Sequence, residues 1–225
     1  MPAIIPIPSV HLPENSSIAK RSLATGRAYP LAELGRPVRT AGTAEELARI
    51  VRYLNVELSA RYTRTPVTTF CNIYACDYCY LAGVYLPRVW WTERALKQIA
   101  AGSAVPVKYA ETVAELNANS LYSWLRDFGP AFGWIRATSP DQLQAAANAG
   151  QVSVICAQRK QLDKPGHITT VVPESDPSHV AERNGTQIRL PLQSQAGARN
   201  FCFSCVPGKW WEGAQFQAYG FWIHS

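Results

Sequence analysis

The apolar residues of this chain change their spacing near Gly150, and this change limits the folds available to it. Before Gly150, apolar residues recur every three or four positions, as in amphipathic helices. After it come short runs rich in β-branched and aromatic residues, which are typical of strands. These runs are 152–157, 167–172, 186–192, 200–206 and 218–223. Helices followed by an antiparallel sheet predict an α+β fold.

The helices before Gly150 have recognisable ends. Thr43 with Glu46 forms a capping box, and the helix after it is predicted to place Leu47, Ile50, Val51, Leu54 and Leu58 on one face. Ser139 caps another helix, which has Pro140 at its first position and continues through the Ala-rich stretch 143–149 to end at Gly150. We predict further helices at 71–83, 92–100 and 111–128, and a short strand at 132–135.

The first 40 residues contain six prolines and little periodicity, so we predict an extended arm at 1–40 and one domain at 41–225. The opening residues lack a basic segment, and their prolines interrupt any apolar helix. This predicts no secretory signal. We therefore expect synthesis in the cytoplasm and, for action elsewhere, export by a secretion apparatus.

The chain carries a formal charge of +6 and has a pI near 9.1, which favours anionic partners such as nucleic acid, anionic lipid or the bacterial cell wall. Its basic residues are scattered. Adjacent pairs occur only at 20–21 and 159–160, so we do not expect a nucleic-acid partner. No apolar run is long enough to cross a bilayer, and we expect a monomer that does not insert into membranes.

A cysteine, Cys71, opens the apolar run predicted to be the second helix. A thiol at a helix N-terminus lies at the positive end of the helix dipole, which favours the thiolate and lowers the thiol pKa. An enzyme would place a cysteine nucleophile there, although an ordinary buried cysteine can occupy the same position.

A thiolate nucleophile needs a nearby base, and histidine is the usual one. Of the four histidines, His167 follows a Lys-Pro-Gly turn and opens a predicted strand, which places it at a sheet edge where a helix N-terminus could meet it. His11 lies in the arm, His179 in a polar segment, and His224 is next to last. The alternative role for His167 is a strand-end histidine that bonds to the backbone.

Two short motifs, Thr-Phe-Cys-Asn-Ile-Tyr at 69–74 and Pro-Gly-His-Ile at 165–168, resemble papain-like peptidoglycan hydrolases of the NlpC and CHAP type. This group includes phage lysins and the amidase effectors delivered by type VI secretion. The similarity covers roughly residues 41–205. It implies a papain-like α+β fold in which a catalytic cysteine at a helix N-terminus packs against an antiparallel sheet carrying the catalytic histidine.

The resemblance implies that Cys71 and His167 hydrolyse an amide in the stem peptide of peptidoglycan, without metal or cofactor. Backbone N–H groups at the start of the Cys71 helix would stabilise the oxyanion. The family's third residue, which orients the histidine, comes from the strand after it, and we favour Gln195 although the family usually has Asp, Asn or His there. Other candidates for the orienting or oxyanion roles are Gln193, Asn200, Glu174, His179, Asn72 and Tyr62, the last of which could equally be a packing residue.

Two further features leave alternatives open. Trp90 and Trp91 are candidate substrate-binding residues because tryptophan rings stack on sugars, although packing is the other use of such a pair. The pairs Cys76/Cys79 and Cys202/Cys205 have the spacing of a structural zinc site, and Cys202 or Cys205 could instead form a disulfide after export.

The primary prediction is therefore a cell-wall amidase, with an immunity protein as a further partner if it is a secreted effector. The alternatives are a papain-like protease or deamidase of host proteins, and a zinc-stabilised binding module without catalytic activity.

Overall fold

The computed structural model describes residues 6–11, 37–205 and 209–224. The chain divides into two compact units, one of Met1–Leu31 with Pro87–Leu116 and the other of Ala32–Leu86 with Asn117–Ser225. The segment 87–116, predicted to belong to the 41–225 domain, thus falls in the smaller unit. Most of the predicted arm lies outside the described residues, so its boundary at residue 40 stays a prediction.

Numbered along the described chain, the helices are α1 Ala44–Leu54, α2 Cys71–Leu81, α3 Glu93–Ala100, α4 Ala118–Asp127 and α5 Pro140–Asn148. The strands are β1 Val89–Trp91, β2 Val113–Glu115, β3 Trp134–Ala137, β4 Val152–Arg159, β5 His167–Val171, β6 Glu182–Asn184, β7 Gln187–Leu190, β8 Gln193–Gln195, β9 Phe201–Ser204 and β10 Phe216–His224. Short 3₁₀ helices span Gly129–Phe132 and Trp210–Glu212. The predicted α+β class is confirmed.

In the smaller unit, β1 and β2 form an antiparallel pair, with α3 between them in sequence. The predicted helix at 111–128 is wrong in its first part, because Val113 pairs with Trp91 in this two-stranded sheet. In the larger unit, α4 begins only after Asn117, whose side chain accepts the N–H of Ser120 at 3.0 Å. A local capping residue therefore sets the start of the helix.

The larger unit is built on a six-stranded sheet in the order β3-β10-β4-β5-β8-β9, with every neighbouring pair antiparallel. The stretch 186–195, predicted to be the strand that supplies the partner of His167, forms two strands. Pro191 has no N–H to donate and stands between β7, which pairs with β6, and β8, which joins the large sheet beside β5. As a result Gln193 and Gln195 lie one strand away from His167.

The capping box of α1 is confirmed: Thr43 Oγ1 accepts the Glu46 N–H, and Glu46 accepts the Thr43 N–H at 3.0 Å. The helix ends at Asn55, which adopts the left-handed conformation with φ 42°. Leu58 was predicted to continue the inner face. It lies beyond this stop and is 81% exposed, so that part of the prediction is wrong.

Helix α2 begins at Cys71 as predicted and is buried on almost every side. It packs on β5 and β8, and the Tyr74 hydroxyl is hydrogen-bonded to Ser194 Oγ in β8. The start of α2 is therefore set against the first residue of β5, which is His167.

The Asp77 carboxylate fastens the loop before α2 to the helix itself. Although 3% exposed, it accepts Arg61 Nε at 2.6 Å, Arg61 Nη2 at 3.1 Å and the Tyr62 hydroxyl at 2.8 Å. These contacts give Asp77 a structural role. The Tyr62 hydroxyl is thus engaged by the Asp77 carboxylate.

Replacing Asp77 with alanine is expected to lower the free energy of unfolding by about 3–5 kcal/mol, because Arg61, whose side chain is 18% exposed, would lose its ion pair with this carboxylate. Urea denaturation followed by tryptophan fluorescence measures the change. Asp163→Ala is the matched control, since the Asp163 carboxylate is exposed and 4.0 Å from Lys164. A loss below about 1 kcal/mol for Asp77→Ala would contradict this interpretation of the pair.

Candidate active site

Cys71 is the first residue of α2, and Phe70 at the N-cap position has no polar side chain with which to cap the helix. The backbone N–H of Asn72 in the first turn and the N–H of Ile168 in β5 both interact with the Cys71 thiolate. Backbone dipoles from two elements thus converge on one sulfur. This arrangement stabilises negative charge on the sulfur.

Two opposing influences set the pKa of Cys71. Burial is the largest, and alone it would raise the pKa of the thiol. The hydrogen bond and charge of His167, together with the N–H groups of Ile168 and Asn72, outweigh burial, so the pKa of Cys71 is lowered from its ordinary value of 9.0. The thiolate therefore persists at a pH where an isolated buried thiol would be protonated.

His167 lies between Cys71 and Gln195. Its Nε2 is 2.6 Å from Gln195 Oε1, which leaves Nδ1 as the ring nitrogen for the thiol. The Gln195 amide has a defined orientation, because its Nε2 donates to the Arg199 carbonyl at 3.0 Å and its carbonyl oxygen must then face the histidine. Gln195 accordingly accepts the Nε2–H of His167 and orients the ring.

The same contacts act on the protonation of His167. Burial alone would lower the pKa of the imidazole, but hydrogen bonds to Cys71 and to Gln195, with the charge of Cys71, raise it above 6.5. A lowered thiol pKa and a raised imidazole pKa favour a thiolate facing an imidazolium. A thiolate beside an imidazolium is the form in which a cysteine can act as a nucleophile.

An indole ring covers the histidine. Trp210 lies edge-on to His167, with ring centroids 4.7 Å apart, and its Nε1 donates to Gln193 Oε1 at 3.0 Å. Gln193 Oε1 also accepts the Thr169 hydroxyl at 2.9 Å. Gln193 therefore holds the covering tryptophan and does not itself bind His167. Trp210 is not among the residues that the sequence predicts for the site, and its one distinguishing mark is that Trp211 follows it directly.

The turn after Gln195 is held by Asn200. Its Oδ1 accepts the Gly197 N–H at 3.0 Å, and its Nδ2 donates to the carbonyls of Val56 and Tyr62 at 3.0 and 3.1 Å. A Cβ at Gly197 would lie 2.9 Å from Gln195 Nε2 and 3.2 Å from His167 Cε1. Asn200 is thus placed to position the turn, and glycine leaves room for the histidine beside it.

The other candidates lie in different surroundings. The Glu174 carboxylate forms a two-pronged ion pair with Arg183, which is the main reason that its pKa falls to about 2. The His179 ring stacks on Phe203 with centroids 4.9 Å apart. The Tyr62 hydroxyl donates to Asp77, and the contact of Asn72 with Cys71 is made through its backbone N–H. The site therefore brings together Cys71, His167 and Gln195.

Both tryptophans of the smaller unit are buried, Trp90 at 5% and Trp91 at 6% exposure, and Trp91 Nε1 donates to the Pro8 carbonyl. Neither ring is open for stacking on a sugar. Their indoles belong to the packing around the β1–β2 pair, which is the alternative use of such residues.

The two Cys-x-x-Cys pairs do not meet. Cys76 and Cys79 are buried in α2, and all six cysteines are free thiols. Within the described ranges, which include all four paired cysteines, no group of three or more His, Cys, Asp or Glu side chains could hold a metal ion. Within these ranges the four thiols therefore do not form a four-thiolate group of the kind that holds structural zinc.

Replacing Gln195 with alanine is expected to lower the rate of any Cys71-dependent hydrolysis about 100-fold, because the His167 ring would lose the acceptor that fixes its orientation. The rate constant at saturating substrate measures this loss. Gln187→Ala, an exposed glutamine of β7, is the control and should leave the rate unchanged. A Gln195→Ala protein with the wild-type rate would remove Gln195 from the site.

No protein-family model matches this chain, and no curated protein matches it either. Among the described residues, no helix is both long and apolar enough to cross a membrane.

Proposed function

We propose that this chain is a cysteine hydrolase that cleaves an amide bond in the stem peptide of bacterial peptidoglycan. The observation that carries the proposal is the hydrogen-bonded series of Cys71, His167 and Gln195, in which the thiol pKa is lowered and the imidazole pKa is raised. A structural cysteine has no need of such partners, and burial would leave its thiol inert.

In the proposed reaction the Cys71 thiolate attacks the amide carbonyl carbon and forms a C–S bond while the carbonyl oxygen becomes an oxyanion. Backbone N–H groups in the first turn of α2 stabilise that charge. His167 gives its proton to the leaving nitrogen, the C–N bond breaks, and an amine departs from a thioester. His167 then takes a proton from water, which attacks the thioester carbonyl. The C–S bond breaks, a carboxylic acid leaves, and the Cys71 thiolate and the protonated His167 are restored.

The wall substrate rests on two supports. The motifs at 69–74 and 165–168 resemble peptidoglycan hydrolases, and they contain the two residues that meet in the site. The formal charge of +6 would also concentrate the protein at an anionic wall. We further propose action after export, as an antibacterial effector or a lysin, with an immunity protein as the partner of an effector.

Digestion of purified peptidoglycan tests the substrate class. Sacculi and, in parallel, an unfolded protein such as casein are incubated with wild type and with Cys71→Ala, and new amino groups are identified by mass spectrometry. We expect Cys71-dependent amines from sacculi alone. Cys71-dependent cleavage of casein with intact sacculi would support a protease in place of a wall amidase, and no Cys71-dependent product from any substrate would contradict the proposed hydrolysis.

A further inference from the structure

Arg159, at the end of β4, lies on the same face of the sheet as the catalytic histidine. The register pairs Ala157 with His167, and directly opposed residues in antiparallel strands project to the same face. Arg159 is two residues beyond Ala157, so it shares that face. Two residues span about 7 Å of strand, and the Arg159 charge acts on the His167 ring, so this arginine lies at the rim of the site.

The Arg159 side chain is held in place by neutral groups. Its Nε donates to the Pro165 carbonyl at 2.9 Å, and its Cζ lies 5.4 Å from the centroid of the Phe216 ring. Phe216 in turn packs edge-on against Trp210, with centroids 5.9 Å apart. Trp210 is the ring that covers His167, so a continuous set of contacts joins the arginine to the site.

The charge of Arg159 is not neutralised by the part of the chain that the structure describes. Its side chain contacts a carbonyl and an aromatic ring, its backbone N–H donates to Asn119 Oδ1, and no carboxylate of the described residues pairs with it. By contrast Arg61, Arg183 and Arg189 each pair with an acid. The two terminal nitrogens of Arg159 can therefore bind an anion bidentately.

We infer that Arg159 is a specificity-determining residue which binds a carboxylate of the substrate beside the scissile amide. The inference rests on the proposed function for the identity of the substrate, a carboxylate-bearing peptide, but not for the cationic subsite itself. A guanidinium held by a carbonyl and an aromatic ring is ordered before the ligand arrives. It therefore loses little conformational entropy on binding.

The charge of Arg159 also reaches His167, where it opposes protonation of the ring. A bound carboxylate would neutralise that charge and favour the imidazolium that donates a proton to the leaving amine. The same contact would thus select the substrate and support the proton donor.

Two matched pairs of reagents test this assignment. Synthetic stem peptides with free carboxylates are compared with the same peptides carrying carboxamides. We expect wild type to prefer the free acids by about 10- to 100-fold in kcat/KM, and Arg159→Gln to lose that preference. Lys160→Gln removes a positive charge from the adjacent exposed residue and should keep the preference for free acids. Arg159→Lys should keep part of that preference.

Alkylation of Cys71 gives a readout that needs no substrate. Iodoacetate carries a carboxylate where iodoacetamide carries a carboxamide, as in the two peptide series. The rate with iodoacetate divided by the rate with iodoacetamide should fall roughly three-fold or more in Arg159→Gln but not in Lys160→Gln. An unchanged ratio in folded Arg159→Gln overturns the assignment, as does an unchanged peptide preference. If the ratio falls but wild type cleaves neither peptide, the proposed function fails while the cationic subsite stands.

Discussion

Replacing Cys71 with alanine is expected to lower the rate of amide hydrolysis by roughly 10⁴-fold or more, because the atom that attacks the carbonyl is removed. The free energy of unfolding should change by less than about 2 kcal/mol, since the substitution removes one small buried atom. Release of new amines from peptidoglycan measures the first effect, and thermal unfolding measures the second.

Cys79 provides a matched control on the same helix. It is fully buried, and burial raises the pKa of its thiol well above the usual value, so it is inert at neutral pH. Cys79→Ala should keep the hydrolytic rate wherever the protein remains folded. Folded Cys71→Ala that kept more than a hundredth of wild-type activity would contradict a nucleophilic role for this thiol.

Replacing His167 with alanine is expected to reduce hydrolysis by about 10²- to 10⁴-fold, the range typical of general acid–base catalysis. Two losses combine in this variant. The leaving amine has no proton donor, and the Cys71 thiolate loses the hydrogen bond and charge that oppose the effect of burial. Steady-state kinetics on peptidoglycan fragments, with circular dichroism to verify folding, measures the effect.

His179 is the natural comparison for this variant. Its ring stacks on Phe203, away from the thiol, so His179→Ala should keep nearly all activity. The proton-transfer role would be refuted if both variants fold and show the same rate.

The positions of the two central residues follow from local signals. A Pro-containing segment before the apolar run that Cys71 opens and a Pro-Gly turn before His167 are both visible within a few residues of sequence, and the structure has α2 and β5 beginning there. Element starts of this kind depend on backbone geometry that neighbouring residues dictate. The predicted contact between Cys71 and His167 required only that the N-terminus of the helix face the edge of the sheet.

Long-range contacts decide the rest of the site, and local patterns do not report them. The sequence offers several polar residues after β5 as partners for His167, with Gln195 favoured among them. Gln195 occupies that position because Pro191 ends β7, β8 joins the sheet beside β5, and the Arg199 carbonyl turns the amide towards the ring. Tyr62 likewise donates a hydrogen bond to Asp77, the carboxylate that pairs with Arg61.

The smaller unit shows the same limit in a different way. Val113 lies in a stretch whose spacing suits a helix, yet it pairs with Trp91 as a strand. A short strand is stabilised by its partner, which lies more than twenty residues earlier in the sequence. Periodicity alone cannot reveal such a partner, and neither can it show that Trp90 and Trp91 are buried.

The central claim is that His167 holds Cys71 as a reactive thiolate, and the pH dependence of Cys71 alkylation tests it most directly. The rate of iodoacetamide modification at Cys71, followed by peptide mass spectrometry, rises with the thiolate fraction. In wild type the inflexion of the rate against pH should lie below pH 9.0. In His167→Ala it should move to higher pH, because burial raises the pKa of Cys71 and the hydrogen bond and charge of His167 no longer lower it. An inflexion at or above pH 9.0 in wild type, unchanged in His167→Ala, would contradict the account.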